Sequence, residues 1–187
     1  MKKKMLVLTF DKFNDVELIT FVSTLKRADI LDQITYVSAK KGILRSQYDN
    51  FDLSVEKFSD DISEYDAVYV PGGPAAQELR SNLEAQKLVQ KFVDQGKFVF
   101  AICDAPNALK EANVLQDLKY TAFPSDWSKD SRDEFYNPNK LVIQSNDKIA
   151  TGRSAGATLE LALLAVKMLS DEESYKKAYF GMLGENA

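Results

Sequence analysis

A chain of 187 residues that is 45% hydrophobic and 28% charged, with only 8 Gly and 5 Pro, has the composition of one globular domain, not of a disordered segment. Its formal net charge of −4 argues against a general binder of nucleic acid or of anionic membrane, since both need a cationic face. The absence of histidine and the presence of one cysteine, Cys103, exclude imidazole-dependent triads, histidine-based zinc centres, cysteine clusters and an internal disulfide.

Taken in order, Lys4–Phe10 reads as a first buried strand and Asp11–Asp15 as a turn. The run Met5–Leu8 is too short for a signal peptide and is soon interrupted by Asp11. No segment reaches the length of a membrane span, so a soluble cytoplasmic protein is expected. Val16–Ala28 predicts a helix apolar on more than one stripe, which calls for cover beyond its own sheet, such as a partner subunit. Gln33–Ser38 reads as a second strand, and the polar stretch Lys40–Ser63 leaves room for a short hairpin around Tyr48–Val55. Tyr65–Val70 is a third strand, ending on Pro71-Gly72-Gly73-Pro74. A short helix over Ala75–Arg80 and a clearer one over Glu84–Gln95 follow, the latter stopped by Gly96.

Phe98–Ile102 is an apolar strand that runs straight into Cys103, with a helix over Ala105–Ala112 and Pro106 in its first turn. Beyond it lie a short predicted strand, Tyr120–Phe123, and an irregular stretch, Pro124–Lys140, holding Trp127. Leu141–Ser145 and Ile149–Thr151 form a hairpin pattern turned at Asn146-Asp147. Gly152–Gly156 leads into an apolar helix, Ala157–Leu169, and Asp171–Phe180 closes the chain as a helix. Buried strands alternating with helices predict an α/β fold with a mostly parallel central sheet and helices on both faces, organised as one domain over residues 1–187.

The strand-to-helix corner at Cys103 has the form of a nucleophile elbow. Such a turn needs small residues on either side of the nucleophile, and Ala101 and Ala105 occupy those positions. The helix start behind the sulfur would favour thiolate over thiol. The bland alternative is a small buried core residue. In an open α/β sheet the site forms at the carboxyl ends of the strands, which singles out four loops here: Asp11–Asp15, Pro71–Pro74, Cys103–Pro106 and Gly152–Gly156. The amides of Gly73 and Asp104 could form an oxyanion-holding pair, with Gly72 allowing close backbone approach. Glu17 has two readings. Asn14-Asp15-Val16-Glu17 fits a capping box in which Glu17 reaches back to the Asn14 N–H. Otherwise its carboxyl stands beside Cys103 as acid/base or hydrogen-bond donor.

Four motifs together resemble the ThiJ/PfpI superfamily, the parkinsonism-associated deglycase family within the class I glutamine amidotransferase-like fold: Phe13–Glu17, Asp66–Gly73, Ala101–Pro106 and Thr151–Thr158. The resemblance spans nearly the whole chain. It implies a flavodoxin-like three-layer sandwich and a homodimer using the first helix. It also implies Cys103 as the reactive thiol with Glu17 hydrogen-bonded to its sulfur, in a pocket including Gly72, Phe123, Arg153 and Ser154. Glyoxalase or deglycase chemistry on a small carbonyl compound is expected, with no cofactor and no metal. An oxidation sensor or stress protein using the same cysteine is the alternative, and a scaffold with a decayed site is a third. Three positions depart from the family pattern. Phe123 stands where many members have a histidine before a proline, Asp104 stands where a small residue or histidine is common, and Ser154-Ala155 replaces Gly-Pro. With no histidine, a Cys-His protease is disfavoured.

Overall fold

A computed structural model describes residues 2–187. Eight strands form one sheet: β1 (Lys3–Leu8), β2 (Leu31–Ser38), β3 (Gly42–Arg45), β4 (Asp52–Lys57), β5 (Ala67–Val70), β6 (Phe98–Ile102), β7 (Val142–Gln144) and β8 (Ile149–Gly152). Their order is β3-β4-β2-β1-β5-β6-β8-β7. The six inner strands pair in parallel, while β3 and β7 add antiparallel edges. Strands covered on both faces need apolar side chains on both, and Met5–Leu8, Ala67–Val70 and Val99–Ile102 are all buried.

The helices are α1 (Asp15–Arg27), α2 (Ala75–Ser81), α3 (Leu83–Asp94), α4 (Ala105–Glu111), α5 (Thr158–Leu169) and α6 (Glu172–Leu183). On one face of the sheet α1 packs against α5 and α6; on the other α2 packs against α3 and α4. The outcome is the predicted flavodoxin-like three-layer sandwich, with helices on both faces of a mostly parallel sheet. On α1, Leu18, Phe21, Val22 and Leu25 turn into the core, whereas Val16 and Ile19 stay half exposed at 49% and 50%. No helix among the described residues is long and apolar enough to cross a membrane.

Three expectations need correction. The first strand ends at Leu8, and the chain leaves the sheet through Lys12, whose φ is +63°. The hairpin of the polar stretch begins at Gly42, so Tyr48 lies in its turn and not in a strand. Tyr120–Phe123 forms no strand, because β8, beside it, already has β6 and β7 on its two edges. Its amides are satisfied elsewhere: Tyr120 donates to the Phe135 carbonyl, Thr121 to Thr151 Oγ1 and Phe123 to the Cys103 carbonyl.

Candidate active site

The corner is built by the backbone. Ala101 at the end of β6 lies opposite Val70 of β5 and Thr151 of β8. The Cys103 N–H carries the ladder one step further, donating to the Gly152 carbonyl at 2.9 Å. The chain then reverses with Cys103 at φ +63°, a left-handed conformation that costs a non-glycine residue about 1 kcal/mol or more. Ala101 and Ala105 are fully buried against this turn, as the small-neighbour requirement predicts. Gly72 closes it from the adjacent loop. A Cβ there would sit 2.7 Å from Cys103 Cβ, 2.9 Å from the Ile102 carbonyl oxygen and 3.0 Å from the Asp104 nitrogen, so only glycine fits. Gly73 has φ +81° and turns its amide toward the Cys103 sulfur.

Glu17 is wholly buried. Half of the capping box is present: the Asn14 side chain accepts from the Glu17 N–H at 3.2 Å. The reciprocal half is absent. Asn14 N–H donates instead to the Gly72 carbonyl at 3.2 Å, and Glu17 Oε2 accepts from the Gly72 N–H at 2.7 Å. This exchange of bonds clamps the start of α1 to the loop after β5 and directs the carboxyl at the sulfur. Glu17 Oε1 has no hydrogen-bond partner, and the carboxyl stands beside Cys103. Below, the Tyr69 hydroxyl donates to the Glu17 carbonyl at 2.9 Å, and the Tyr69 ring stacks on Phe21 at 3.7 Å.

Burial pushes the Glu17 carboxyl up to about 7, against the opposing hydrogen bonds from Gly72 and Cys103. Burial also pushes the Cys103 thiol up, and the adjacent Glu17 charge adds to this, while the Gly73 amide pulls the other way. The thiolate-favouring helix start is therefore outweighed. Each group's charge raises the proton affinity of the other, so the pair resists carrying two negative charges at once. Asp104 adds a smaller repulsion to both. Its carboxylate is held through Oδ1, which accepts from Ser125 Oγ at 2.5 Å and Asn107 Nδ2 at 3.1 Å.

A cavity of about 530 Å³ opens over Cys103, which is itself 9% exposed. Glu17, Gly73, Asp104, Phe123 and Ser154 line it as the sequence suggests, and Gly72 lies behind the sulfur. Arg153 does not line it: its guanidinium donates to the Pro138 carbonyl at 2.8 Å. Sequence reasoning misses Gln47, Tyr48, Gln77, Ser125 and Trp127, which also line the cavity. The first two arrive on the β3–β4 turn, which Asp15 holds by accepting from the Tyr48 N–H at 3.1 Å and Asn50 Nδ2 at 2.9 Å. Trp127 sits under the Arg80 guanidinium, 4.6 Å from its ring centroid.

A model of the DJ-1/PfpI family matches residues 3–168. The chain is 34% identical over 124 residues to a deglycase of Pyrococcus abyssi, covering 65% of this chain and 72% of that protein. It is 29% identical over 158 residues to protein/nucleic acid deglycase 2 of Escherichia coli, covering 82% and 90%. Among solved structures, oxidised DJ-1 of Toxoplasma gondii superposes with a TM-score of 0.84 at 25% identity, covering 97% of this chain and 98% of that one.

Proposed function

The chain belongs to the DJ-1/PfpI family, and from that membership and the buried Cys103–Glu17 pair we propose that it is a cysteine-dependent enzyme acting on reactive carbonyls, of glyoxalase or deglycase type. The single observation that carries this is Glu17 Oε1. It is a sealed carboxyl oxygen with no hydrogen-bond partner, beside the only thiol in the chain, under an open cavity. A carboxyl near pH 7 is well matched to moving protons at neutral pH. Two relatives bear deglycase names.

With methylglyoxal, the Cys103 sulfur adds to the aldehyde carbon, and the thiol proton passes to the new hydroxyl. Glu17 removes the hydrogen from that carbon as a proton and returns it to the neighbouring carbon, while the hydroxyl proton passes to the ketone oxygen, converting the hemithioacetal to a thioester. Water then cleaves the thioester, releasing lactate and the thiol. The sum is methylglyoxal plus water to lactic acid, with no external oxidant. The Gly73 and Asp104 amides hold the developing oxyanion. Lactate formation should fall more than 100-fold in Cys103→Ser, and by about 10²- to 10⁴-fold in Glu17→Gln. Unchanged turnover in Cys103→Ser would refute the proposal.

A second reading uses the same atoms. A sulfinate formed by two equivalents of peroxide, which leave as water, could accept a hydrogen bond from protonated Glu17 and another from the Gly73 amide. A protein that gains two oxygens at Cys103 under mild peroxide yet has no methylglyoxal turnover would be a sensor and not an enzyme. One domain over residues 1–187, a cytoplasmic location suited to an unpaired thiol, and a homodimer through half-exposed Val16 and Ile19 of α1 complete the reading. Sedimentation as a monomer at micromolar concentration would remove the last.

A further inference from the structure

The wall of the Cys103 cavity contains two carboxyl side chains, Asp104 and the buried, protonatable Glu17, and among the described residues no lysine or arginine lines it. The cations around it are held outside the cavity, Arg132 by main-chain and hydroxyl oxygens behind the wall. Lys12 pairs with Asp49 at 2.7 Å and Lys129 with Asp126 at 2.8 Å. Arg80 is held by Glu111, and Arg153 by the Pro138 carbonyl. Arg132 points its guanidinium at the Ser125 carbonyl and Ser128 Oγ, at 2.5 and 2.7 Å. Asp104 is fixed at one oxygen only. Oδ1 accepts both hydrogen bonds, from Ser125 and Asn107. Oδ2 accepts none and is not among the sealed, unpaired atoms. A held carboxylate therefore presents a free oxygen to the cavity, directly after the sulfur in the chain.

We propose that the cavity selects carbonyl compounds by charge, admitting neutral and cationic ones and turning away those that carry a carboxylate or phosphate, with the Asp104 side chain as the residue that sets this selectivity. The proposal rests on reading Cys103 as the group that meets the carbonyl, and it adds a substrate class to that reading. An anionic tail would enter a cavity with no cation to receive it and a fixed carboxylate within a few ångströms, where dielectric screening is incomplete. A neutral α-ketoaldehyde meets no such barrier. A carbonyl adduct on a guanidinium or ammonium nitrogen gains from Asp104 Oδ2.

The test reads the field at the sulfur without requiring turnover. Cys103, the only thiol, is alkylated with neutral iodoacetamide and with anionic iodoacetate, and the ratio of the two rates is divided by the same ratio for N-acetylcysteine amide. This cancels the charge of the reacting thiolate itself. The normalised ratio should be about tenfold or more in favour of iodoacetamide, and should fall at least threefold in Asp104→Asn, whose amide oxygen can still accept from Ser125 and Asn107. Gln77→Lys, on the exposed side of the cavity wall, should lower it as well and answers the question if Asp104→Asn does not fold. A wild-type ratio within twofold of the small thiol, or one that neither substitution moves, overturns the proposal. Loss of the methylglyoxal reaction with the ratio intact would defeat the enzymatic reading and leave the charge selection standing.

Discussion

Glu17→Gln should change how the stability of the protein depends on pH, and in a direction opposite to that of most carboxylates. Glu17 titrates at about 7 in the folded chain against an ordinary 4.5, because it is buried beside Cys103. A group whose folded value is raised contributes stability that is complete below the unfolded value and is lost as pH rises through the folded one. At 1.36 kcal/mol for each tenfold change in proton affinity, the full effect is about 3 kcal/mol, of which about 2 kcal/mol is lost between pH 5 and 7.5. With no histidine in the chain, no other side chain ordinarily titrates in that window. The Cys103 thiol, pushed up by burial, stays protonated across it. Urea unfolding followed by Trp127 fluorescence at several pH values measures the slope. Wild type should lose stability toward pH 7.5, and Glu17→Gln, which keeps an acceptor for the Gly72 N–H, should be flat within about 0.5 kcal/mol. Parallel slopes in the two proteins would refute a buried, protonatable Glu17.

Gly72→Ala should destabilise by at least ~2 kcal/mol, since the added methyl meets Cβ and main-chain atoms that cannot swing away; a shift in the urea midpoint below about 0.5 kcal/mol would contradict the close approach. Asp15→Ala removes the acceptor for Tyr48 and Asn50. Amide exchange across residues 46–51 should accelerate about tenfold or more, with the exchange of β1 unaffected. Lys97→Met strips an ammonium that donates to the carbonyls of Ile62, Ser63 and Tyr65 at 2.6, 3.2 and 2.6 Å. It should cost about 1–3 kcal/mol in denaturant unfolding without moving the alkylation rate of Cys103.

Much of the site was legible because it is local. The apolar run into Cys103, the flanking alanines and Pro106 are consecutive, and they specify the corner without help from the rest of the fold. Glu17 was ambiguous for the opposite reason. Asn14 does cap α1 as its sequence suggests, and what releases the Glu17 side chain toward sulfur is the competition from Gly72, 55 residues away. No local pattern carries that contact. The family resemblance put Arg153 in the pocket, yet the carbonyl of Pro138 claims it. Tyr120–Phe123 has the composition of a strand, but strand formation needs a free edge, and edge occupancy is a property of the sheet. Gln47 and Tyr48 reach the cavity on the β3–β4 turn and Trp127 on the stretch after α4, and nothing in their own neighbourhoods announces it.

The sulfur and its carboxyl are located almost entirely by main-chain atoms. The Gly72 and Gly73 amides, the Gly152 carbonyl and the Phe123 N–H are contacts that survive a change of side chain at almost any residue other than the glycines. The rim of the cavity is made instead of side chains on the β3–β4 turn, on α2 and in the Ser125–Trp127 stretch. The geometry of the corner and the chemistry of the rim are thus written largely in separable parts of the chain, with Asp104 belonging to both. A lineage could drift through many rims while the thiol and its carboxyl stayed where the backbone put them.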